Sequence, residues 1–244
     1  MSGRTPTLTI AVAQPSVVPH DVVGNAKRHA ALVRRSRARV VVFPELSLTG
    51  YEFDAAPLEP PDPRLGPLVE ACRDVGAVAL AGAPVIGPGG GGRSIGVLAI
   101  DGTGAVVAYR KMWLGEAEAA HFVAGVEPVV RRVDGWRLGL AVCKDTGVPA
   151  HAAATMALGV DVYVAGVLES EVDRDEQPRR VQRIVGDHGV WVAIASFAGA
   201  AGEGFDRAAG ESGIWRPDGS VIARAGAQVA DVAVATITPP PEDG

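Results

Sequence analysis

Cys143 ends the apolar run LGLAVC and is followed by KDTG and then by a helix-like segment. A cysteine at a strand-to-helix corner can present its sulfur at a sheet edge, with turn amides facing whatever binds there. It can equally be a buried structural thiol, the usual fate of a free cysteine. Glu45 follows VVVF and a proline in VVVFPEL. That acid is either the first solvated residue of a loop or a carboxylate set at the mouth of a core to do chemistry. Lys111 ends the strand-like segment before MWL, and Glu118 follows seven residues later. On its own Lys111 reads as a solvated base beside Arg110. Arginine outnumbers lysine 20 to 3, however, so each of Lys27, Lys111 and Lys144 carries some information. Cys72 lies mid-helix on an apolar face and reads as core.

These residues must be held by a fold, and 244 residues with 48% hydrophobic content suffice for a sizeable core. A formal net charge of -5 gives no electrostatic reason to expect nucleic acid or an anionic membrane as partner. The N-terminus lacks the apolar run of a signal peptide, and no stretch approaches membrane-spanning length. Two cysteines make no disulfide framework. A reducing, cytoplasmic setting is the expectation.

Strands are expected at 8–13, 40–43, 77–86, 161–166 and 191–196, and helices at 22–37, 64–75, 149–158 and 175–188. Asp101–Gly104 and Asp134-Gly135 each sit between apolar runs and predict hairpins. The end of the chain is β-rich, with SGIWR and SVIAR joined by a PDG turn. Alternating helices and strands with interleaved hairpins predict a mixed sheet covered by helices. No repeat or composition break divides the chain, which is expected to form one domain over 1–244 with a frayed tail at about 239–244.

Other motifs are weaker. GPGGGG at 87–92 formally satisfies G-x-G-x-x-G, but a strand and not a helix follows, so a hairpin loop is expected. The five histidines show no metal-ligand spacing, and Asp173, Asp175 and Glu176 lack the glycine of a calcium loop. No metal and no cofactor are expected.

FPELSLTGY around Glu45, YRKMWL around Lys111 and GLAVCKD around Cys143 resemble the three signature segments of the nitrilase superfamily, the carbon–nitrogen hydrolases. The order matches, and the separations of 66 and 32 residues are of the family's kind. TIAVAQ, LGVDVYVAG and GESGIWRPDGSVIARAG extend the resemblance over nearly the whole chain.

The resemblance implies a four-layer α-β-β-α sandwich that pairs as a homodimer or assembles further. It implies hydrolysis of a non-peptide C–N bond in a small amide or N-carbamoyl compound through a thioester. Glu45 would take the proton from Cys143, while Lys111 and a turn amide at Lys144 would face the oxyanion. Glu118, in preference to Glu116, would be the family's second glutamate. Tyr51 and Trp113 would line the pocket. Nitrile hydrolysis, acyl transfer from the same thioester and an inactive scaffold are the alternatives. The chain departs from common members at Lys144, where an aromatic residue is frequent, at Gly147 and Ala150, where Arg and Glu are frequent, and at Asp187, where Glu is frequent.

Overall fold

Valine- and alanine-rich runs with few polar interruptions form strands that are buried on both faces, because helices cover one side and a second sheet the other. The computed structural model describes residues 5–239. The tail expected at 239–244 falls outside the described residues from position 240 on. The first half comprises β1 (Leu8–Ala13), α1 (Val22–Ser36), β2 (Val40–Val42), α2 (Gly66–Val75), β3 (Val78–Ile86), β4 (Arg93–Asp101), β5 (Gly104–Arg110) and α3 (Glu116–Ala119). Then come β6 (Val130–Val133), β7 (Trp136–Val142), α4 (Lys144–Gly147), α5 (Pro149–Met156), β8 (Val162–Val167), α6 (Glu176–His188) and β9 (Trp191–Ser196). The chain closes with β10 (Ala198–Gly199), β11 (Ala208–Ala209), β12 (Gly213–Trp215), β13 (Val221–Arg224) and β14 (Val232–Ile237).

Two six-stranded mixed sheets result, ordered β14-β1-β2-β3-β4-β5 and β13-β12-β9-β8-β7-β6. In each, three central strands run parallel (β1, β2 and β3; β7, β8 and β9) and the flanking pairs are antiparallel. The period-2 alternation of strands sorts the side chains. Ile10, Val12, Val40 and Val42 of the first sheet share one core with Leu138, Leu140, Val162 and Val164 of the second. The opposite faces meet the helices. Ala11, Ala13 and Val41 pack under Ala26, Ala30 and Val33 of α1 and Leu68 and Cys72 of α2. Ala141, Tyr163 and Ala165 pack under α5 and α6 through Ala152, Val181 and Ile184. The layers are therefore α-β-β-α, as expected. Among the described residues no helix is long and apolar enough to cross a membrane.

Boundaries differ from the expectation in small ways. β2 stops at Val42, and Phe43 donates to Leu80 as the chain leaves the sheet toward Pro44. A separate turn of helix, α4, precedes α5, and at four residues it is too short to show periodicity.

Candidate active site

All three sheet-end residues converge at one end of the shared core. The chain leaving β2 is pinched between the sheets. A Cβ at Gly82 of β3 would lie 2.3 Å from Leu46 N and 2.4 Å from Pro44 O. One at Gly166 of β8 would lie 2.4 Å from Phe43 O and 2.9 Å from Glu45 N. Only glycine permits this approach from both sides, and it fixes Glu45, whose side chain is fully buried. Lys111 follows β5 and is tied at both backbone groups, donating to Ile95 O and accepting from Gly125 N. Cys143 caps β7 at φ 41° and ψ −100°, an uncommon backbone for a residue with a side chain. Its carbonyl accepts from both the amide and the hydroxyl of Thr146.

Lys111 joins the acids. Its Nζ donates to Glu45 Oε1 at 2.7 Å and to Glu118 Oε1 and Oε2 at 2.7 and 2.8 Å. All three ammonium protons are thus engaged with carboxylates in a site that is 1% exposed at the lysine. Glu118 also accepts from the Tyr51 hydroxyl and the Gly115 amide. Glu116 is exposed, so the geometry selects Glu118 of the two. Glu45 Oε2 is buried and has no hydrogen-bond partner among the described residues. The Cys143 thiol donates to Leu168 O at 3.5 Å.

Electrostatics follow from this packing. Burial, opposed by the Lys111 charge and reinforced by Glu118, lifts the Glu45 carboxyl to about 7. Burial and then the Glu45 charge push the Cys143 thiol well above its usual range, with Lys111 opposing. Burial acts against the Lys111 charge, but Glu45, Cys143 and Glu118 outweigh it and leave the ammonium firmly protonated. At rest the pair is a neutral thiol beside a carboxyl poised near neutrality.

A chain of buried polar groups backs the Cys143 turn, and sequence reasoning missed it. Asp145 accepts from the amides of Val142 and Trp113 and from the Tyr109 hydroxyl. Tyr109 meets His151 Nε2 at 2.9 Å, and His151 Nδ1 meets the Tyr163 hydroxyl at 2.9 Å. One proton arrangement satisfies every group: Tyr163 donates to Nδ1, Nε2–H donates to Tyr109, and Tyr109 donates to Asp145. Burial lowers the His151 pKa, which agrees with the neutral ring this arrangement needs. The signal lay only in Tyr109 standing two residues before Lys111 and Asp145 two after Cys143.

A cleft of about 440 Å³ opens over Lys111, Glu118 and Cys143. Tyr51, Phe53, Leu168 and Phe205 supply apolar wall, and Glu169 and Lys144 also face it. Glu45 lies behind this lining. Lys144 is exposed and its Nζ donates to Leu114 O, so its amide and not its ammonium belongs to the turn. Trp113 departs from its expected place: the residue is 41% exposed and lies outside the cleft lining, and its contribution is the amide that holds Asp145. His20, Glu52 and Asp54 come within 4.8 Å of one another, but none of them lines the cleft.

A family model described as carbon-nitrogen hydrolase matches residues 9–240. A protein of Pseudomonas protegens described as a hydrolase in the pqqF 5' region is 30% identical over 239 residues, covering 90% of this chain and 79% of that protein. Among solved structures, Nit3 of Saccharomyces cerevisiae, from branch 10 of the nitrilase superfamily, superposes with a TM-score of 0.85 at 19% identity. That match covers 97% of this chain and 92% of the yeast chain. An amidase from Nesterenkonia sp. superposes with a TM-score of 0.79 at 25% identity, covering 98% and 92% of the two chains.

Proposed function

The chain belongs to the carbon–nitrogen hydrolase family, and from that premise we propose that it hydrolyses a small amide or N-carbamoyl compound through a thioester on Cys143. The observation that carries this reading is the buried Lys111 ammonium held at 2.7 Å from both Glu45 and Glu118 on the floor of the cleft that holds Cys143. A cation buried this deeply against two carboxylates is expensive to desolvate and is retained where its charge is used.

In this reading the thiol turns from Leu168 O to the free Glu45 Oε2 and gives up its proton as sulfur attacks the acyl carbon. The tetrahedral oxyanion meets Lys111 Nζ and the Lys144 amide, a helix-start N–H with no acceptor within its own helix. Lys111 can answer because its two bonds to Glu118 can relax to one, freeing a proton for the oxyanion. Glu45 passes its proton to the leaving nitrogen, the C–N bond breaks and ammonia departs. Glu45 then takes a proton from water, whose oxygen attacks the thioester. The acid leaves and the thiol is restored.

Ammonia release from a panel of primary amides, N-carbamoyl compounds and nitriles tests the proposal. Turnover of amides or carbamoyl compounds is the expected result, and turnover of nitriles alone would overturn it. The base must be ionised to act, so kcat/KM should rise with pH through about 7 and fall about tenfold per unit below that. A profile flat over roughly pH 5 to 9 would remove Glu45 from the role. Activity should also survive dialysis against EDTA, since thiol and ammonium supply nucleophile and charge. Loss on dialysis with recovery on adding zinc would contradict that division of labour.

A further inference from the structure

Glu169 is a carboxylate for which the proposed chemistry has no use. It follows β8, lines the same cleft as Cys143 and is only 12% exposed at its side chain. Its backbone carbonyl is fixed by the Ala209 amide. Its Oε1 accepts from Gln177 Nε2 at 2.6 Å and from Arg180 at 3.1 Å, both from α6. Arg180 is its one ion-pair partner among the described residues, and Glu176 and Thr146 steady that guanidinium in turn. Gly147 makes room for it: a Cβ there would lie 3.3 Å from the guanidinium carbon. Glu169 Oε2 has no hydrogen-bond partner among the described residues and retains solvent access, being absent from the buried unpaired atoms. One oxygen is therefore anchored by α6, and the other is left for a donor.

The rest of the lining has the same sign. Lys111 is committed to Glu45 and Glu118. Beyond that group the cleft presents Glu116, Glu169, Asp173 and Glu203 against the single cation Lys144, whose ammonium is turned to Leu114 O. A substrate with a carboxylate on its acyl chain would meet these acids, and the Arg180 guanidinium behind Glu169 is already taken up by Glu169 Oε1 and Glu176. One with a protonated amine would find a positioned acceptor and a favourable field.

We propose that Glu169 sets specificity, binding an ammonium on the acyl portion of the substrate, so that the preferred substrates are amides of amino-substituted acids. This rests on the hydrolase reading for the bond cleaved but not for the recognition. Binding to the Cys143→Ala protein, measured by calorimetry, separates the two. The ligands are β-alaninamide, 4-aminobutanamide and 5-aminopentanamide, each beside the neutral amide and the carboxylate-bearing amide of equal length. At least one amino amide should bind about tenfold or more tightly than both counterparts, the discrimination expected of a site whose buried polar group needs its partner. Glu169→Gln in the same background should bring that ratio close to one, with thermal melts confirming the folded state. Equal binding, no binding, or preference for the carboxylate series would overturn the assignment, as would a ratio that survives Glu169→Gln. Turnover of the same amides by the wild-type protein reports on the hydrolase reading independently.

Discussion

Cys143→Ala should abolish amide turnover, lowering kcat by at least about 10⁴-fold, because Cys143 is the one thiol lining the cleft and the thioester forms on its sulfur. The fold should persist, since Cys143 is only half-buried and its turn is held through Asp145 and Thr146, not through sulfur. Cys72→Ala provides the contrast. That thiol is fully buried between α2 and the first sheet, and burial raises its pKa to about 11, which leaves it unreactive at neutral pH. Its loss should lower stability by about 1 kcal/mol through packing and leave kcat/KM near wild type. Equal losses of activity in the two variants would remove the nucleophile from position 143.

Substituting Lys111 should damage both catalysis and stability. Lys111→Met deletes the cation and leaves Glu45 and Glu118 facing each other in a dry site. Breaking a buried pair in this way typically destabilises by about 3–5 kcal/mol. Lys111→Arg keeps the charge but not the shape. An ammonium directs three rotatable donors at three carboxylate oxygens, all within 2.8 Å. A guanidinium is a wide planar fork and cannot reproduce that geometry inside a fully buried site. Loss of one oxyanion donor lowers kcat by about 10²–10³, and Lys111→Arg should lose a large part of that. Stability should fall as well, because Lys111, although it forms part of the cleft floor, is among the largest fully buried side chains. Thermal melts beside kcat/KM separate the two effects. Retention of more than about half the wild-type activity by Lys111→Arg would place the ammonium outside the chemistry.

The convergence of Glu45, Lys111 and Cys143 could be read from the chain because each follows or ends an apolar strand, and a polar residue at that point breaks a strong local pattern. Strand ends on two stacked sheets can converge, and order and spacing in the three segments pointed to the same family. The supports were hidden because they come from distant segments. Nothing near Glu45 shows that Gly82 and Gly166, from different sheets, clamp its backbone. His151 and Tyr163 read as ordinary residues of a helix and a strand, and only the packing of α5 on the second sheet joins them to Tyr109 and Asp145. Arg180 looks like one more base in a basic helix until Gly147 is seen to leave room for its guanidinium. Trp113 misled for the opposite reason. An aromatic residue beside a signature segment suggests a pocket wall, but here the backbone amide carries the contact and the ring faces solvent.

The covalent intermediate is the central claim, and mass spectrometry addresses it most directly. The protein would be mixed with an activated acyl donor such as a p-nitrophenyl ester, quenched in acid and weighed intact, and then digested. The account predicts a burst of p-nitrophenol stoichiometric with protein, a mass gain of one acyl group, and its location on the peptide carrying Cys143. Hydroxylamine should discharge the adduct, and Cys143→Ala should show neither burst nor adduct. Sustained amide turnover without any adduct at Cys143, or an adduct on another residue that Cys143→Ala leaves unchanged, would contradict it.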